Sequence, residues 1–288
     1  MNPLTKDREN AYLTLLDDVS INVRLGLIDA FREHGEEAVN FLNYIVNSNT
    51  PGLVQHAKFY LRELGEINTV SEFREFIGSM NYELETGSLL LERTVHKDRT
   101  VEDYQNLLNE MADRVKELLV ENATPLQTCQ TLNRVIFHEY EFRGAVENFY
   151  DPENSFLGTV LENRRGIPLT LSLVYQLVAE RCGFHLEPIG FPIRFMVGCF
   201  DQPEPFFIDP FSSGTVLSRN DIEMFLREND IYPEDSFFQP TPVGEILCRC
   251  CRNLAHQYDL ANQSELSERF TSFVDEFERV YQEHSTYE

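Results

Sequence analysis

Two consecutive strings decide the fold: GIPLTLSLVYQLVAE (residues 166–180) and FPIRFMVGCFDQPEPFFIDPF (residues 191–211). In the first, Gly166 closes one helix and Pro168 opens the next, because proline's missing N–H costs nothing at the first helical position. Leu171, Val174 and Val178 then recur at helical spacing up to Gly183. Beyond that helix, Leu186–Phe191, Arg194–Phe200 and Phe206–Ile208 are rich in β-branched and aromatic residues, with Asp201–Pro205 as the turn of a hairpin. The expectation is a small antiparallel sheet behind a buried helix, carrying Arg194 and Asp209 on its extended segments.

Upstream, a short helix holds Phe156, Leu157, Val160 and Leu161, and residues 142–154 lack a sustained period and read as an ordered loop. Before that loop, Thr124-Pro125 starts a helix with Leu126, Cys129, Leu132, Val135 and Ile136, and Thr100 opens a longer one with Tyr104, Leu108, Met111 and Val115 on one stripe. Residues 80–87 read as a loop. Between Asn22 and Gly65 the pattern gives three short amphipathic helices, which resemble a HEAT-type repeat that stacks on neighbours.

Downstream, Ser218 starts a helix with Ile222, Phe225 and Leu226, and residues 233–242 are proline-spaced like a linker. The tail is a helical hairpin joined near Ala261-Asn262-Gln263. Its second helix carries Phe270, Phe273 and Phe277, a stripe that has to be buried against the core or against another chain. The expected division is a HEAT-like region (1–70), a central α+β domain (71–240) and a tetratricopeptide-like hairpin (241–288).

Composition restricts the function classes. A chain of 288 residues with 42% apolar content supplies a real core. The formal net charge is −24, with −11 in residues 1–149, −3 in 150–220 and −10 in 221–288. Such a field repels phosphate backbones and anionic lipid, so neither nucleic acid nor a membrane surface is the expected partner. A protein partner, of basic character, is; solubility alone is the other reading of the same charge. The charged amino terminus has no apolar run of signal-peptide length, and the six cysteines lie in helix-like or strand-like patterns rather than a disulfide framework. A cytoplasmic location is the expectation.

The strings Tyr150-Asp151-Pro152-x-Asn154-Ser155-Phe156-Leu157, Val160-Leu161-Glu162-x-Arg164-Arg165-Gly166-Ile167-Pro168, Gly190-Phe191-Pro192 and Ile208-Asp209-Pro210-Phe211 resemble the SirB-type branch of the transglutaminase-like superfamily, whose eukaryotic relatives include an F-box-only protein. The resemblance covers about residues 75–230. It implies a helix-rich α+β fold of transglutaminase-like (papain-like) design with a small antiparallel sheet, flanked by helical repeats. It also implies a catalytic order of thiol at the helix start, histidine on the next strand and carboxylate on the one after.

Set on that pattern, the nucleophile position falls on Pro168, which has no side-chain proton, and the base position on Arg194, where the branch commonly has histidine. A guanidinium stays protonated at working pH, so it cannot act as the base. Asp209 alone survives, and an ion pair between Arg194 and Asp209 is the expected replacement. No catalytic residue is expected; Asn154, Arg164, Arg165, Arg194 and Asp209 are candidates for a binding cleft, with Arg164 and Arg165 either gripping an anion or pairing with neighbouring carboxylates.

Other chemistry is disfavoured. Thr170 and Ser172 have no histidine near them in the motif, His185 reads as an exposed turn residue, and Cys199 as a small core residue. Cys248, Cys251 and His256 suggest zinc, but no fourth ligand is evident. No metal or cofactor is expected. The function expected is a catalytically inactive binding or scaffolding module; the alternative is a cysteine-independent hydrolase or acyl transferase working in the same cleft.

Overall fold

The computed structural model describes residues 4–18, 20–48, 51–97, 99 and 101–285. They fall into two units, residues 1–75 with 93–100, and residues 76–92 with 101–288.

In the first unit, α1 (Lys6–Leu15), α2 (Ile21–His34), α3 (Glu36–Val46) and α4 (Pro51–Glu63) pack around Leu27, Phe31, Phe41, Leu42 and Tyr60. The α2–α3 corner turns at Gly35, whose φ of 55° suits a residue without a Cβ. Phe31 lies edge-on to Tyr12 and Tyr60, with centroids 5.1 and 5.2 Å away. The three helices expected between Asn22 and Gly65 are therefore present.

Helix α5 (Thr69–Ser79) leads to α6 (Leu84–Arg93). Residues 84–87, expected in a loop, are the first turn of α6. Glu83 starts it, its carboxylate accepting from the N–H groups of Glu85 (2.9 Å) and Thr86 (2.6 Å). Glutamate is not among the preferred capping residues, so the start signal was not recognisable. The expected start at Thr100 lies outside the described residues; α7 is Val101–Leu118, with Tyr104, Leu108, Met111 and Val115 buried. Helix α8 (Pro125–Asn133) is opened by a reciprocal capping box between Thr124 and Gln127 and runs on into a π-helical turn, Arg134–Glu139.

The second unit is organised around α10. Strand β1 (Arg143–Gly144) pairs in parallel with β2 (Arg165–Gly166), and α9 (Leu157–Asn163) lies between them in the chain. Helix α10 (Pro168–Arg181) follows, buried continuously from Leu169 to Ala179, because it is covered on every side. Pro168 occupies its first turn as expected. The sheet then forms as β3 (Glu187–Gly190), β4 (Phe195–Cys199), β5 (Phe206–Asp209) and β6 (Thr215–Ser218), antiparallel and in chain order.

All of β4 is buried, since α10 covers one face and a second apolar cluster the other. That cluster, Ile189, Phe191, Met196, Phe207 and Phe238, is closed by Ile222 and Leu226 of α11 (Arg219–Glu228).

Two expectations are corrected here. The helix before Pro168 ends at Asn163, not Gly166: Arg164 takes the left-handed conformation (φ 58°, ψ 28°) and its N–H returns to the Val160 carbonyl. The proline-spaced stretch 233–242 is not a linker. Its turn Asp235–Phe238 buries Phe238 against Phe191 and Phe207, and Thr241 donates to the Pro188 carbonyl at 2.8 Å, running beside β3.

The hairpin α12 (Val243–Leu260) and α13 (Ser264–Ser285) belongs to this second unit. Phe270, Phe273 and Phe277 are fully buried. Phe270 stacks on Tyr258 and meets Phe156 at 6.2 Å, and Phe277 meets Tyr82 at 5.7 Å. Of the two destinations open to the stripe, the core takes it.

Candidate functional site

The site is a cleft of about 200 Å³ at the amino end of α10, lined by Pro168 and Leu169, by Pro192, Ile193 and Phe195 at the start of β4, by Phe149 and Tyr150 and by Arg249, Asn253, His256 and Gln257 of α12. Pro168 brings neither proton nor nucleophile to it.

The hydroxyls that follow are committed elsewhere. Thr170 Oγ1 donates to the Asn154 carbonyl at 2.7 Å, and Ser172 Oγ to the Pro168 carbonyl at 2.8 Å. Both residues are buried. A hydroxyl that donates to a carbonyl has its proton in use and no base to receive it.

Arg194 and Asp209 are brought together. Arg194 lies just ahead of β4, and its Nη1 donates to Asp209 Oδ2 at 3.0 Å. Asp209, at the end of β5, also accepts from the N–H of Phe211 (3.0 Å) and from Ser212 Oγ (2.8 Å), so its carboxylate caps the turn Pro210–Ser212. The guanidinium carbon lies 5.0 Å from the Phe211 centroid and 5.9 Å from that of Phe225. Cation–π contact and ion pair hold the cation against the sheet end. Arg194 does not line the cleft.

The remaining candidates are placed differently from the expectation of one shared cleft. Asn154 Nδ2 donates to the Asn148 carbonyl at 2.6 Å, tying the loop before α9. Arg164 caps α9 and lies 5.9 Å from the Tyr140 ring. Arg165 Nη1 donates to the carbonyls of Glu141 (3.1 Å) and Arg164 (2.9 Å). Asn154 and Arg165 line a separate recess of about 520 Å³ with Glu147, Asp151, Glu153 and Asn163, a setting too acidic to attract an anion. Among the described residues neither Arg164 nor Arg165 forms an ion pair with a carboxylate; Arg165 braces backbone carbonyls and Arg164 lies against the Tyr140 ring.

The cleft residues that sequence reasoning missed are those of α12. Arg249, Asn253, His256 and Gln257 recur at four, three and one residue, one polar strip beside an apolar face; that strip was the available signal, hidden by treating α12 as an appendage. His256 faces the Tyr150 ring at 5.9 Å. Among the described residues no group of three or more His, Cys, Asp or Glu is placed to hold a metal. His185 sits at the surface beside Glu187, as its sequence context suggested.

No thiol is activated. Burial pushes all six cysteines above the ordinary 9.0, Cys248 to about 11 and Cys129 and Cys250 to about 12. A raised pKa keeps the neutral thiol, so native protein is expected to resist iodoacetamide from pH 6 to 8 and to react on all six cysteines only after unfolding in urea. Mass spectrometry of the alkylated chain measures this; rapid alkylation of one cysteine at pH 6 would contradict it.

Among the described residues, no helix is long and apolar enough to cross a membrane. Several proteins are similar in sequence. An "UPF0162 protein" of Xylella fastidiosa (strain 9a5c) is 28% identical over 183 residues, 61% of this chain and 65% of the relative. One from Vibrio cholerae is 26% identical over 145 residues, 50% of this chain and 53% of the relative. The "F-box only protein 21" of Mus musculus is 28% identical over 120 residues, 39% of this chain and 19% of the relative. The chain thus spans from about half to just under two thirds of the bacterial relatives' length. No solved structure matches it. A family model described as the transglutaminase-like superfamily matches residues 102–252, from α7 into the cleft-lining helix α12. The chain belongs to the transglutaminase-like superfamily.

Proposed function

We propose that this chain represents the SirB-type branch of its superfamily and is a protein-binding or scaffolding module whose transglutaminase-like cleft recognises rather than reacts. One observation carries the reading. At the turn where the nucleophile would stand, Pro168 has no proton to give, and the neighbouring hydroxyls of Thr170 and Ser172 are buried and spent on backbone carbonyls. A hydrolase or acyl transferase in this cleft would need a thiol or hydroxyl with a base in hydrogen-bond reach, and neither Thr170 nor Ser172 has one.

The Arg194–Asp209 pair supports the same reading, because a permanently charged guanidinium replaces a proton-transferring group. The acidic flanks, with −24 overall, favour a basic protein partner and make encounter faster at low salt. A HEAT-like amino-terminal region and a tetratricopeptide-like carboxyl-terminal hairpin fit such a role.

The test is turnover by the full chain at neutral pH: incorporation of a primary amine into a glutamine peptide, and release of ammonia from the same peptide. Both are expected at the blank rate. Arg194→His, which returns a histidine to the base position, is expected to stay there too, since nothing at position 168 can attack. Turnover that drops about tenfold or more in Arg194→Gln would overturn the reading.

A further inference from the structure

The cleft beside Pro168 has a sign and a shape that its lack of a nucleophile does not explain. Its lining contains one cation, Arg249, and no aspartate or glutamate, in a chain with 48 acidic residues against 24 basic ones. Arg249 is half-buried and has no carboxylate partner among the described residues. Its Nη2 donates to the Phe191 carbonyl at 2.8 Å and its guanidinium carbon lies 5.5 Å from the Phe195 ring. The acidic residue one turn earlier, Glu245, is held instead by Arg252 at 2.8 Å. A half-buried guanidinium whose N–H groups are mostly unspent is a receptor for an anion.

A second observation is independent of that charge. Gln257 is 3% exposed and lines the same cleft. Its Oε1 accepts from Ser155 Oγ at 2.7 Å, and its Nε2 donates to no described residue. The amide is held in place by Ser155 while its Nε2 stays open at the cleft wall, a positioned donor for an acceptor that enters the cleft. Asn253, one turn of α12 away, adds another amide. The amino end of α10, which no side chain caps, contributes the positive end of a fourteen-residue helix.

The geometry points to a binding site for a carboxylate carried on a short apolar or aromatic body, with Arg249 and the amides of Asn253 and Gln257 taking the carboxylate and Phe149, Tyr150 and Phe195 covering the body. A planar guanidinium and amide donors match a planar carboxylate, whereas a phosphate dianion calls for more than one cation. The cleft's volume of about 200 Å³ admits a group of side-chain size. A free small acid and the carboxyl terminus of a peptide offer the same chemistry. The proposal rests on the cleft being a recognition site, although carboxylate binding and the absence of turnover are measured separately.

Calorimetric titration of the full chain with 3-phenylpropanoate, its primary amide, inorganic phosphate and the tripeptide Ala-Ala-Phe with free or amidated carboxyl terminus tests it. The acid is expected to bind at least about tenfold more tightly than its amide or phosphate. Arg249→Gln is expected to weaken the acid by about tenfold or more and to narrow the gap between acid and amide. Asn253→Leu, at a partly exposed position, is expected to weaken it by about threefold and guards against misfolding of the first variant. Tighter binding of the free-terminus tripeptide than of the acid assigns the site to peptide ends, and the reverse order to small acids. Equal affinity for acid and amide, equal affinity for phosphate, or no binding of any carboxylate up to about 10 mM overturns the proposal, whatever the turnover assays show.

Discussion

Ending the chain after Pro242 is expected to leave a protein that does not fold, even though the deleted hairpin looks separable in sequence. The loss exposes what α12 and α13 cover. Ser155 loses Gln257, the Phe191 carbonyl loses Arg249, Phe156 loses Phe270 and Tyr82 loses Phe277. Leu247 lies so close to Gly87 that a Cβ there would meet its side chain at 2.4 Å, so removing α12 opens a cavity along α6. Each fully buried phenylalanine contributes about 1.5–3 kcal/mol, and the deleted helices bury three of them with Ile246, Leu247, Leu254 and Tyr258. Their sum, on the order of 10 kcal/mol, matches the whole stability of an ordinary domain, about 5–15 kcal/mol. Circular dichroism and a thermal melt of residues 1–242 measure the outcome. A cooperative transition within about 5 °C of the full chain's would show that the hairpin is dispensable to the core.

The same hairpin shows which parts of the molecule were legible in the amino-acid sequence. Periodicity located α2 to α4, α7, α10, α12 and α13, because each repeats apolar residues over several turns and most carry a proline or a glycine at an end. Alternation and the Asp201–Pro205 turn located β3, β4 and β5. Strand β6 and the two-residue pair β1–β2 were missed: the first is mostly exposed and the second too short to carry a pattern.

At the site, the Arg194–Asp209 pair was readable since a spacing of fifteen residues across one hairpin turn fixes who meets whom. Arg249, Asn253 and Gln257 were not. They reach the cleft from α12, some 80 residues beyond Pro168; the polar strip marks them on their helix, but it does not say where that helix docks. Arg164 and Arg165 were open in sequence between ion pairs with neighbouring carboxylates and an anion site; in the fold a left-handed cap and a bridging strand use their backbone, and their side chains contact carbonyls and a ring.

Glu92→Ala is expected to be among the most destabilising single substitutions in the chain, and Glu85→Ala, seven residues earlier on the same helix, clearly milder. In sequence Glu85 falls in a stretch that reads as a loop and Glu92 just beyond it, and neither stands out among the chain's many acidic residues. In the fold Glu92 is completely buried, and its carboxylate accepts from the N–H groups of Gly158 (2.7 Å) and Thr159 (3.1 Å), from Thr159 Oγ1 (3.2 Å) and from the Tyr104 hydroxyl. It thus caps α9 from another helix, in place of Phe156, whose side chain offers no acceptor. Gly158 belongs to the same device, since a Cβ there would lie 2.8 Å from Glu92 Oε1. Truncation to alanine leaves two backbone donors and a phenol buried without this acceptor, at about 1–3 kcal/mol each, or about 3–9 kcal/mol together. Glu85 bonds Arg181 at 2.5 Å with both side chains only partly solvated, but Arg181 keeps Asn109 Oδ1 (3.0 Å) and the Leu177 carbonyl (3.1 Å) when Glu85 is lost, so a smaller cost than at Glu92 is expected. Urea midpoints at unchanged slope measure the contrast. Similar midpoints for the two variants would mean that water replaces the carboxylate at no cost, and that α9 does not depend on Glu92 for its start.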